Sequence, residues 1–219
     1  MTRDLPTLAL PCPAVIHLDS SLIAVDKPAG LLAVPGRGAD KADCVSARLQ
    51  AAYPDALVVH RLDMATSGLM LLARGPEMQR CLSQAFAERL IAKIYTAVVA
   101  GLLAEDAGEI DLPLSADWPN RPRQQVDALH GKPSLTRWRV LSRDALSGQT
   151  RLALQPQTGR SHQLRVHLSA IGHAILGDAL YASVEVAAAA PRLLLHASRL
   201  ALAHPLTGAP LDLRSEPPF

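Results

Sequence analysis

The chain has 219 residues, of which 49% are apolar and 19% are charged, and its formal net charge is +2. This length fits one domain or two small ones, and the composition is that of a globular chain with a substantial core. No apolar run approaches the ~20 residues that cross a bilayer, and the proline-punctuated start is unlike a signal peptide. Three widely spaced cysteines argue against a disulfide framework and a zinc site. Together these features predict a cytoplasmic protein.

The first half of the chain alternates predicted strands and helices after a flexible arm over residues 1–13. Strands are predicted over 14–18, 22–25, 56–59, 69–73 and 94–100. Helices are predicted over 42–53 and 76–90. The second helix begins at Pro76, and its apolar stripe of Met78, Leu82, Ala85, Phe86 and Leu90 is expected to face the core.

The second half adds two more strands, over 135–141 and 149–155, and a hairpin or bent strand over 193–197 and 200–203. Residues 158–168 are interpreted as a loop leading into a helix capped by Ser161 or Thr158, with Leu164, Leu168 and Ile171 facing the core. Because strands outnumber helices and arrive in pairs, the predicted fold class is α+β. We expect a mixed, mostly antiparallel central sheet with flanking helices, formed by residues 14–219 as a single domain.

Charge is unevenly distributed along the middle of the chain. Residues 101–117 hold five acids and no base, whereas residues 120–143 hold one acid, Asp127, and six basic side chains: Arg121, Arg123, Lys132, Arg137, Arg139 and Arg143. A fold that gathers these bases presents one positive face, as expected for a protein that binds a polyanion. Basic residues on solvated strand edges are the plainer alternative.

The most distinctive stretch is a polar insert between two apolar runs, His60-Arg61-Leu62-Asp63-Met64-Ala65-Thr66-Ser67-Gly68. Its flanking runs predict buried strands, so a His, an Arg and an Asp are held where a buried sheet ends. Charges in such a place need partners or a chemical role. The plainer interpretation is a structural loop in which Asp63 caps a turn and Arg61 faces water.

Several chemistries are excluded by missing motifs. The chain has no phosphate-binding glycine loop, no G-x-S-x-G elbow around Ser67 and no H-E-x-x-H. We therefore expect no metal and no cofactor, and activity that survives a chelator. Asp63 also has no second carboxylate nearby, which glycoside hydrolysis ordinarily needs. A lone Asp acts as nucleophile or base when a cation holds it ionised, and Arg165 is the best candidate, although phosphate contact or simple helix charge would also explain it.

The insert resembles the active-site motif of the RluA-type pseudouridine synthases, which is His-Arg-Leu-Asp, two variable residues, then Thr-Ser-Gly. Four further segments resemble that family's motifs in the expected order: 26–30, 93–101, 158–167, and the pair 177–181 and 195–197. The segment 117–124 resembles the members that act on both ribosomal and transfer RNA. Many members also have an N-terminal RNA-binding module, and the early start of the catalytic core predicts that none is present here.

This resemblance implies isomerisation of uridine to pseudouridine in RNA without a cofactor. By the family pattern, Asp63 is the catalytic carboxylate, Tyr95 stacks on the target base, and Arg165 pairs with Asp63. Arg61 fills the space that the flipped base vacates, and His60 and Leu164 complete the substrate-binding set. The implied partners are ribosomal and transfer RNA stem-loops, bound by a monomer with no obligate protein partner and no membrane.

Two functions from other classes remain open from the residues. One is a non-catalytic RNA-binding or folding module of the same fold, and the other is a hydrolase that cleaves the glycosidic bond of nucleosides. The presence of Asp63, Tyr95 and Arg165 disfavours the first, and the missing second carboxylate disfavours the second. Incubation with RNA separates the three by isomerised product, bound RNA alone, or released uracil.

Overall fold

The computed structural model describes residues 13–38 and 41–219. The arm expected over 1–13 therefore lies, apart from Pro13, outside the described residues. The strands are β1 (Ala14–Leu18), β2 (Leu22–Lys27), β3 (Ala56–Val58), β4 (Ser67–Arg74), β5 (Ala92–Ala100), β6 (Ala107–Asp111), β7 (Leu114–Ala116), β8 (Gln124–Val126), β9 (Leu135–Asp144), β10 (Gln149–Pro156), β11 (Leu195–Ala203) and β12 (Pro210–Arg214). The helices are α1 (Val45–Ala52), α2 (Gly75–Ala87), α3 (Gln163–Ala170) and α4 (Val184–Ala188).

Ten strands form one sheet in the order β1-β2-β4-β11-β5-β10-β9-β6, with β12 added beside β11 and β3 beside β4. Within the described residues all of its pairs are antiparallel except β4 with β11, which run parallel at two positions. Strands β7 and β8 form a separate two-stranded ribbon. The predicted α+β class with a mixed, mostly antiparallel sheet is therefore confirmed.

The parallel contact between β4 and β11 is short because each strand turns to another partner. Strand β4 meets β11 at Ser67 and Gly68 and pairs with β3 at its other end. Gly68 has a φ of +109° and faces the backbone of Ala197, so that a Cβ at this position would overlap the Ala197 peptide. Glycine is required here for both its conformation and its lack of a side chain.

Two helices differ in extent from the sequence prediction. Helix α1 begins at Val45 because the N–H groups of Val45 and Ser46 donate to the carbonyls of Leu32 and Ala33, and the Cys44 thiol accepts from Ala47 N. Helix α2 ends at Ala87 in a Schellman arrangement. Arg89 there adopts a φ of +61°, and the Leu90 N–H donates to the Ala85 carbonyl.

The predicted core stripe of α2 is largely correct. Leu82 is buried, and Met78, Ala85 and Phe86 pack against the same apolar cluster, which also contains residues of β2, β4 and β11. Leu90 was expected to belong to this stripe but is 67% exposed, because it lies beyond the end of the helix. Ile171, expected in the core beside α3, is likewise 37% exposed as the C-cap of that helix.

Several short elements were not predicted, and β6 explains part of the charge pattern. This strand carries acids from the 101–117 segment and pairs with β9, which carries bases from the 120–143 segment. Arg137 Nε lies 2.6 Å from Glu109, and Arg143 contacts Asp106 at 2.8 Å. Part of the basic excess is therefore neutralised locally rather than gathered on one face.

No helix in the described part of the chain is long and apolar enough to span a bilayer.

Candidate active site

A cleft of about 590 Å³ lies where the β3–β4 loop, strand β5 and the start of α3 meet. Asp63 is the only acid among the described residues that line it, whereas its basic lining residues are Arg61, Arg89, Lys93, Arg160 and Arg165. The remaining walls include all the other residues that the sequence assigned to the site, namely His60, Tyr95 and Leu164. The geometry of the fold thus brings together the whole predicted set.

The loop that carries Asp63 is fixed through the backbone of its neighbour, Met64. The Met64 carbonyl accepts hydrogen bonds from Gly30 N at 2.8 Å and from Lys27 Nζ at 3.1 Å. Lys27 is fully buried and also donates to the carbonyls of Pro28 and Leu31. Burial lowers the pKa of Lys27 to about 7, and the negative charge of Asp63 opposes that decrease.

The Asp63 side chain is 25% exposed and faces the cleft. Nothing in the described ranges 13–38 and 41–219 donates a hydrogen bond to its carboxylate, and its nearest basic neighbour is His162, whose Nε2 lies 3.9 Å from Oδ2. The Asp63 backbone carbonyl accepts a hydrogen bond from Thr66 N. The backbone of Asp63 is therefore fixed, whereas its carboxylate has no hydrogen-bond donor among the described residues. Such a carboxylate is free to act on a substrate.

His60 lines the cleft but is also tied to the sheet. Its Nε2 accepts a hydrogen bond from Leu71 N at 2.8 Å, and its ring packs on Phe86 with a centroid separation of 4.3 Å. Burial lowers the pKa of His60 to about 3, with a smaller contribution from Lys93, so the ring is neutral. The structure therefore leaves Nδ1 and the ring face of His60, but not Nε2, for contact with a ligand.

The turn before α3 is organised by Gln163. Its amide oxygen accepts from Thr158 Oγ1 and Arg160 N, while its amide nitrogen donates to Leu135 O and Thr136 Oγ1. The expectation that Ser161 or Thr158 caps α3 is wrong. The N-cap residue is His162, with a φ of +54° and no side-chain capping bond, because the Thr158 hydroxyl is used by Gln163 and Leu135.

Arg165 does not pair directly with Asp63, contrary to the sequence expectation. Its guanidinium makes a two-pronged contact with Asp178, with Nε donating to Oδ2 at 2.8 Å, and both side chains are buried. Burial disfavours the charge, but the hydrogen bonds and charge of Asp178 prevail and raise the pKa of Arg165. A buried guanidinium is best satisfied by such a planar contact, which explains why Asp178 takes precedence over the more exposed Asp63.

Tyr95 and Leu164 belong to the apolar part of the cleft wall. Tyr95 lies in β5 opposite Leu154 and Ala197, so its position is fixed by strands on both sides. Burial, and secondarily the charge of Asp63, raises the pKa of Tyr95, which keeps its phenol neutral. Leu164 is buried in the first turn of α3. An aromatic ring beside a carboxylate provides a surface on which a base can stack.

Arg61 is exposed at the entrance of the cleft, and its Nη2 donates to Ser161 Oγ at 3.4 Å. Within the described residues, Arg61 and the other rim bases Arg89, Lys93 and Arg160 make no ion pair shorter than 4 Å. Their positive charges are thus not neutralised by an acid among the described residues, although the Arg160 guanidinium donates to the Pro133 carbonyl. No group of His, Cys, Asp and Glu side chains in the described ranges is arranged to hold a metal ion.

Sequence reasoning gave no role to Lys27, His162 or Asp178, although all three lie within motifs that it singled out. The spacing of residues in a motif does not show which side chains contact each other. Asp178 follows Arg165 by 13 residues, and Lys27 reaches Met64 across 37. A lysine after an apolar strand, as in Ile23-Ala24-Val25-Asp26-Lys27, was the available signal for a buried cation.

The antiparallel sheet, the motif-bearing loop and the basic cleft around one carboxylate define an enzyme of the pseudouridine synthase class. Residues 21–170 match the family described as RNA pseudouridylate synthase. The chain belongs to this family, and its enzyme class is that of the isomerases that form pseudouridine in RNA.

Named relatives agree with this placement over nearly the whole chain. The dual-specificity RNA pseudouridine synthase RluA of Yersinia pestis is 50% identical over 205 residues, which is 94% of this chain and 99% of that protein. The protein of the same name from Escherichia coli strain K12 is 47% identical, covering 94% of this chain and 93% of its own length. The solved structure of human RNA Pseudouridylate Synthase Domain Containing 1 superposes with a TM-score of 0.79 at 26% identity, over 94% of this chain and 84% of that one.

Proposed function

We propose that the protein isomerises specific uridines in both a ribosomal RNA hairpin and a transfer RNA stem-loop, with Asp63 as the catalytic carboxylate. The observation that carries the role of Asp63 is its isolation. It is the only acid among the described residues of a basic cleft, and its carboxylate receives no hydrogen bond from them. The substrate choice is supported by the 50% identical relative whose name states dual specificity.

The chemistry that we propose needs no co-reactant. The bond from the ribose to the uracil nitrogen breaks, the base turns within the cleft, and carbon 5 of uracil bonds to the same sugar carbon. Carbon 5 loses its proton when it bonds to the sugar, and the nitrogen released from the sugar gains a proton. Substrate and product therefore have the same atoms. Asp63 acts as nucleophile or base in this sequence, and either role requires its ionised form.

The surrounding residues bind and orient the substrate. The target uridine must leave its stack, which costs a few kcal/mol and is cheapest in loops. We propose that Tyr95 stacks on the extruded base, that Leu164 and His60 bound its pocket, and that Arg61 occupies the space left in the RNA. Arg165 is held at the wall of the cleft by its contact with Asp178. The purified chain is expected to act as a monomer without a protein partner.

Replacement of Asp63 tests the catalytic role. Asp63→Asn keeps the shape and loses the charge, so single-turnover pseudouridine formation is expected to fall below about one thousandth of the wild-type rate while RNA affinity changes little. Asp144→Asn is the matched control, because Asp144 only closes the exposed β9–β10 turn. Turnover by Asp63→Asn close to that of the control would exclude Asp63 as the catalytic group.

The substrate proposal needs a separate assay. The wild-type chain is incubated with a ribosomal RNA hairpin and with a tRNA anticodon stem-loop, and pseudouridine and free uracil are measured in each. Conversion of both RNAs without uracil release is the expected result. Conversion of one RNA only would contradict dual specificity while leaving the isomerase intact. Released uracil would indicate the hydrolase, and bound but unchanged RNA would indicate the non-catalytic module.

A further inference from the structure

His162 and Tyr181 form a hydrogen-bonded pair beside the Asp63 carboxylate. The His162 Nδ1 lies 2.6 Å from the Tyr181 hydroxyl, and the two rings meet edge to face with centroids 5.6 Å apart. The other ring nitrogen, Nε2, faces Asp63 Oδ2 at 3.9 Å. One imidazole therefore lies between a neutral phenol and the proposed catalytic group.

The backbone of β8 favours one direction for the hydrogen bond between the two rings. Gln124 N donates to the Tyr181 hydroxyl oxygen at 2.8 Å. We assign the hydrogen of that hydroxyl to the bond with His162 Nδ1, which leaves Gln124 N as the donor to the oxygen. Because Nδ1 accepts, a neutral imidazole carries its own hydrogen on Nε2, which is the nitrogen that faces Asp63.

Burial favours the neutral form of the His162 ring and is the main cause that lowers its pKa. The acids Asp63 and Asp178 oppose this decrease, and the bases Arg165 and Arg61 reinforce it. A neutral Nε2–H donor orients a carboxylate without a proton transfer that would discharge it. It thereby leaves Asp63 ionised for reaction.

The backbone at His162 is left-handed. Its φ of +54° is a conformation that glycine adopts most readily and that asparagine, aspartate and histidine adopt more often than other residues. The residue makes no capping bond to α3 that would explain a histidine at this position. The side chain is instead directed between Tyr181 and Asp63.

We infer that His162 is a positioning residue that holds the Asp63 carboxylate in its reactive orientation through Nε2–H, and that Tyr181 keeps that hydrogen on Nε2. This inference rests on the proposed catalytic role of Asp63. The 3.9 Å separation is longer than a hydrogen bond, so this role requires the Asp63 carboxylate, which the described residues leave free of hydrogen bonds, to turn toward Nε2. Neither residue touches the reacting atoms in this scheme.

Tyr181→Phe tests the role of the phenol. The variant keeps the ring that faces the Arg165 and Arg123 guanidinium groups and removes the hydroxyl, so that Gln124 N and His162 Nδ1 both lose their partner. The single-turnover rate is expected to fall about ten- to a hundredfold, as for loss of one hydrogen bond to a charged group, with RNA affinity unchanged. Nitrogen-15 spectra of the His162 ring should shift from the Nε2–H form toward a mixture. Tyr53→Phe, remote from the cleft, is the matched control.

Two substitutions of His162 separate positioning from backbone effects. His162→Gln places an amide N–H near the position of Nε2, whereas His162→Asn suits the left-handed backbone but places its amide near Nδ1. We expect His162→Gln to retain more single-turnover activity than His162→Asn, despite being the less stable of the two. The opposite order of rates would show that only the backbone conformation matters.

The outcomes distinguish this inference from the proposed function. If Asp63→Asn remains active, the catalytic assignment fails and the positioning role fails with it. If Asp63→Asn is inactive but Tyr181→Phe keeps the wild-type rate and the Nε2–H signal, only the inference about His162 and Tyr181 is overturned. A rate loss in Tyr181→Phe accompanied by an equal loss of RNA affinity would also overturn it, because it would indicate a binding role.

Discussion

Lys27 is a fully buried cation whose partners are backbone carbonyls rather than acids. Its three donors reach the carbonyls of Pro28, Leu31 and Met64. Two of these belong to the segment that follows β2, and the third belongs to the loop of Asp63. The side chain therefore ties two otherwise separate loops to each other. It thereby fixes the position of the loop that carries Asp63, and the loss of its donors leaves buried acceptors unpaired.

Lys27→Met is expected to lower the free energy of unfolding by about 2 kcal/mol, because the Pro28 and Leu31 carbonyls lose their donor while an apolar chain of similar length fills the space. Turnover should fall as well, since Met64 adjoins Asp63. Urea denaturation followed by fluorescence provides the measurement. Lys41→Met, on the surface, serves as the control. An unchanged urea midpoint for Lys27→Met would show that the carbonyls find other partners.

At the scale of elements, the site depends on the start of β4, where this strand pairs with β11 before it pairs with β3. Ser67, at the start of β4, lies 2.9 Å from His196 Nδ1 in β11, while His196 Nε2 approaches the Ser215 hydroxyl at 3.0 Å. Arg192 also donates to the Ser67 hydroxyl. This buried polar chain holds the end of the Asp63 loop against the central strand, and Gly68 permits the close approach.

Gly68→Ala is expected to destabilise the fold by about 3 kcal/mol or more, since it adds both a left-handed strain and an overlap with the Ala197 backbone. Gly75→Ala isolates the first effect. Gly75 lies next to the other end of β4 with a φ of +79°, and a Cβ there meets nothing within 4 Å. Its expected cost is about 1 kcal/mol. Equal thermal or urea stability of the two variants would contradict the steric argument.

Local patterns predicted the elements well wherever apolar periodicity was strong, as in α2 and the two strands around Asp63. They failed at β6, where Ile110 is the single buried apolar residue between exposed Glu109 and Asp111, and stability comes from pairing with β9. The residues of the site were predictable from motifs, whereas their contacts were not. Arg165 reaches Asp178 rather than Asp63 because the fold buries the first pair together, and no spacing rule contains that information.

At the scale of the whole molecule, the basic side chains of residues 120–143 have different partners in two regions. On β9, Arg137 pairs with Glu109 of β6, and Arg143 pairs with Asp106, which immediately precedes β6. The β7–β8 ribbon has a different character, because the Arg121 guanidinium stacks on the exposed Trp118 ring at 3.4 Å from its centroid. A cation held on an aromatic face at the surface is suited to RNA, which offers both phosphates and bases.

Arg121→Ala is therefore expected to weaken RNA binding and to reduce the slope of log affinity against log salt by about one at most. Arg137→Ala removes a base of the same type that is already paired with Glu109, so its slope should match the wild type. Binding titrations at several salt concentrations measure both. If the two variants have equal slopes, the β7–β8 ribbon lies outside the RNA-binding surface.

The order of the strands has a consequence for synthesis on the ribosome. Strand β11 lies between β4 and β5 in the sheet, yet it follows both of them in the chain by roughly a hundred residues or more. In a nascent chain that has not reached residue 195, the strand that separates β4, which follows the Asp63 loop, from β5, which carries Tyr95, is missing. Such non-local pairing is slow to form. We therefore expect the site to form only when translation is almost complete, and the exposed edges of β4 and β5 to be available to chaperones until then.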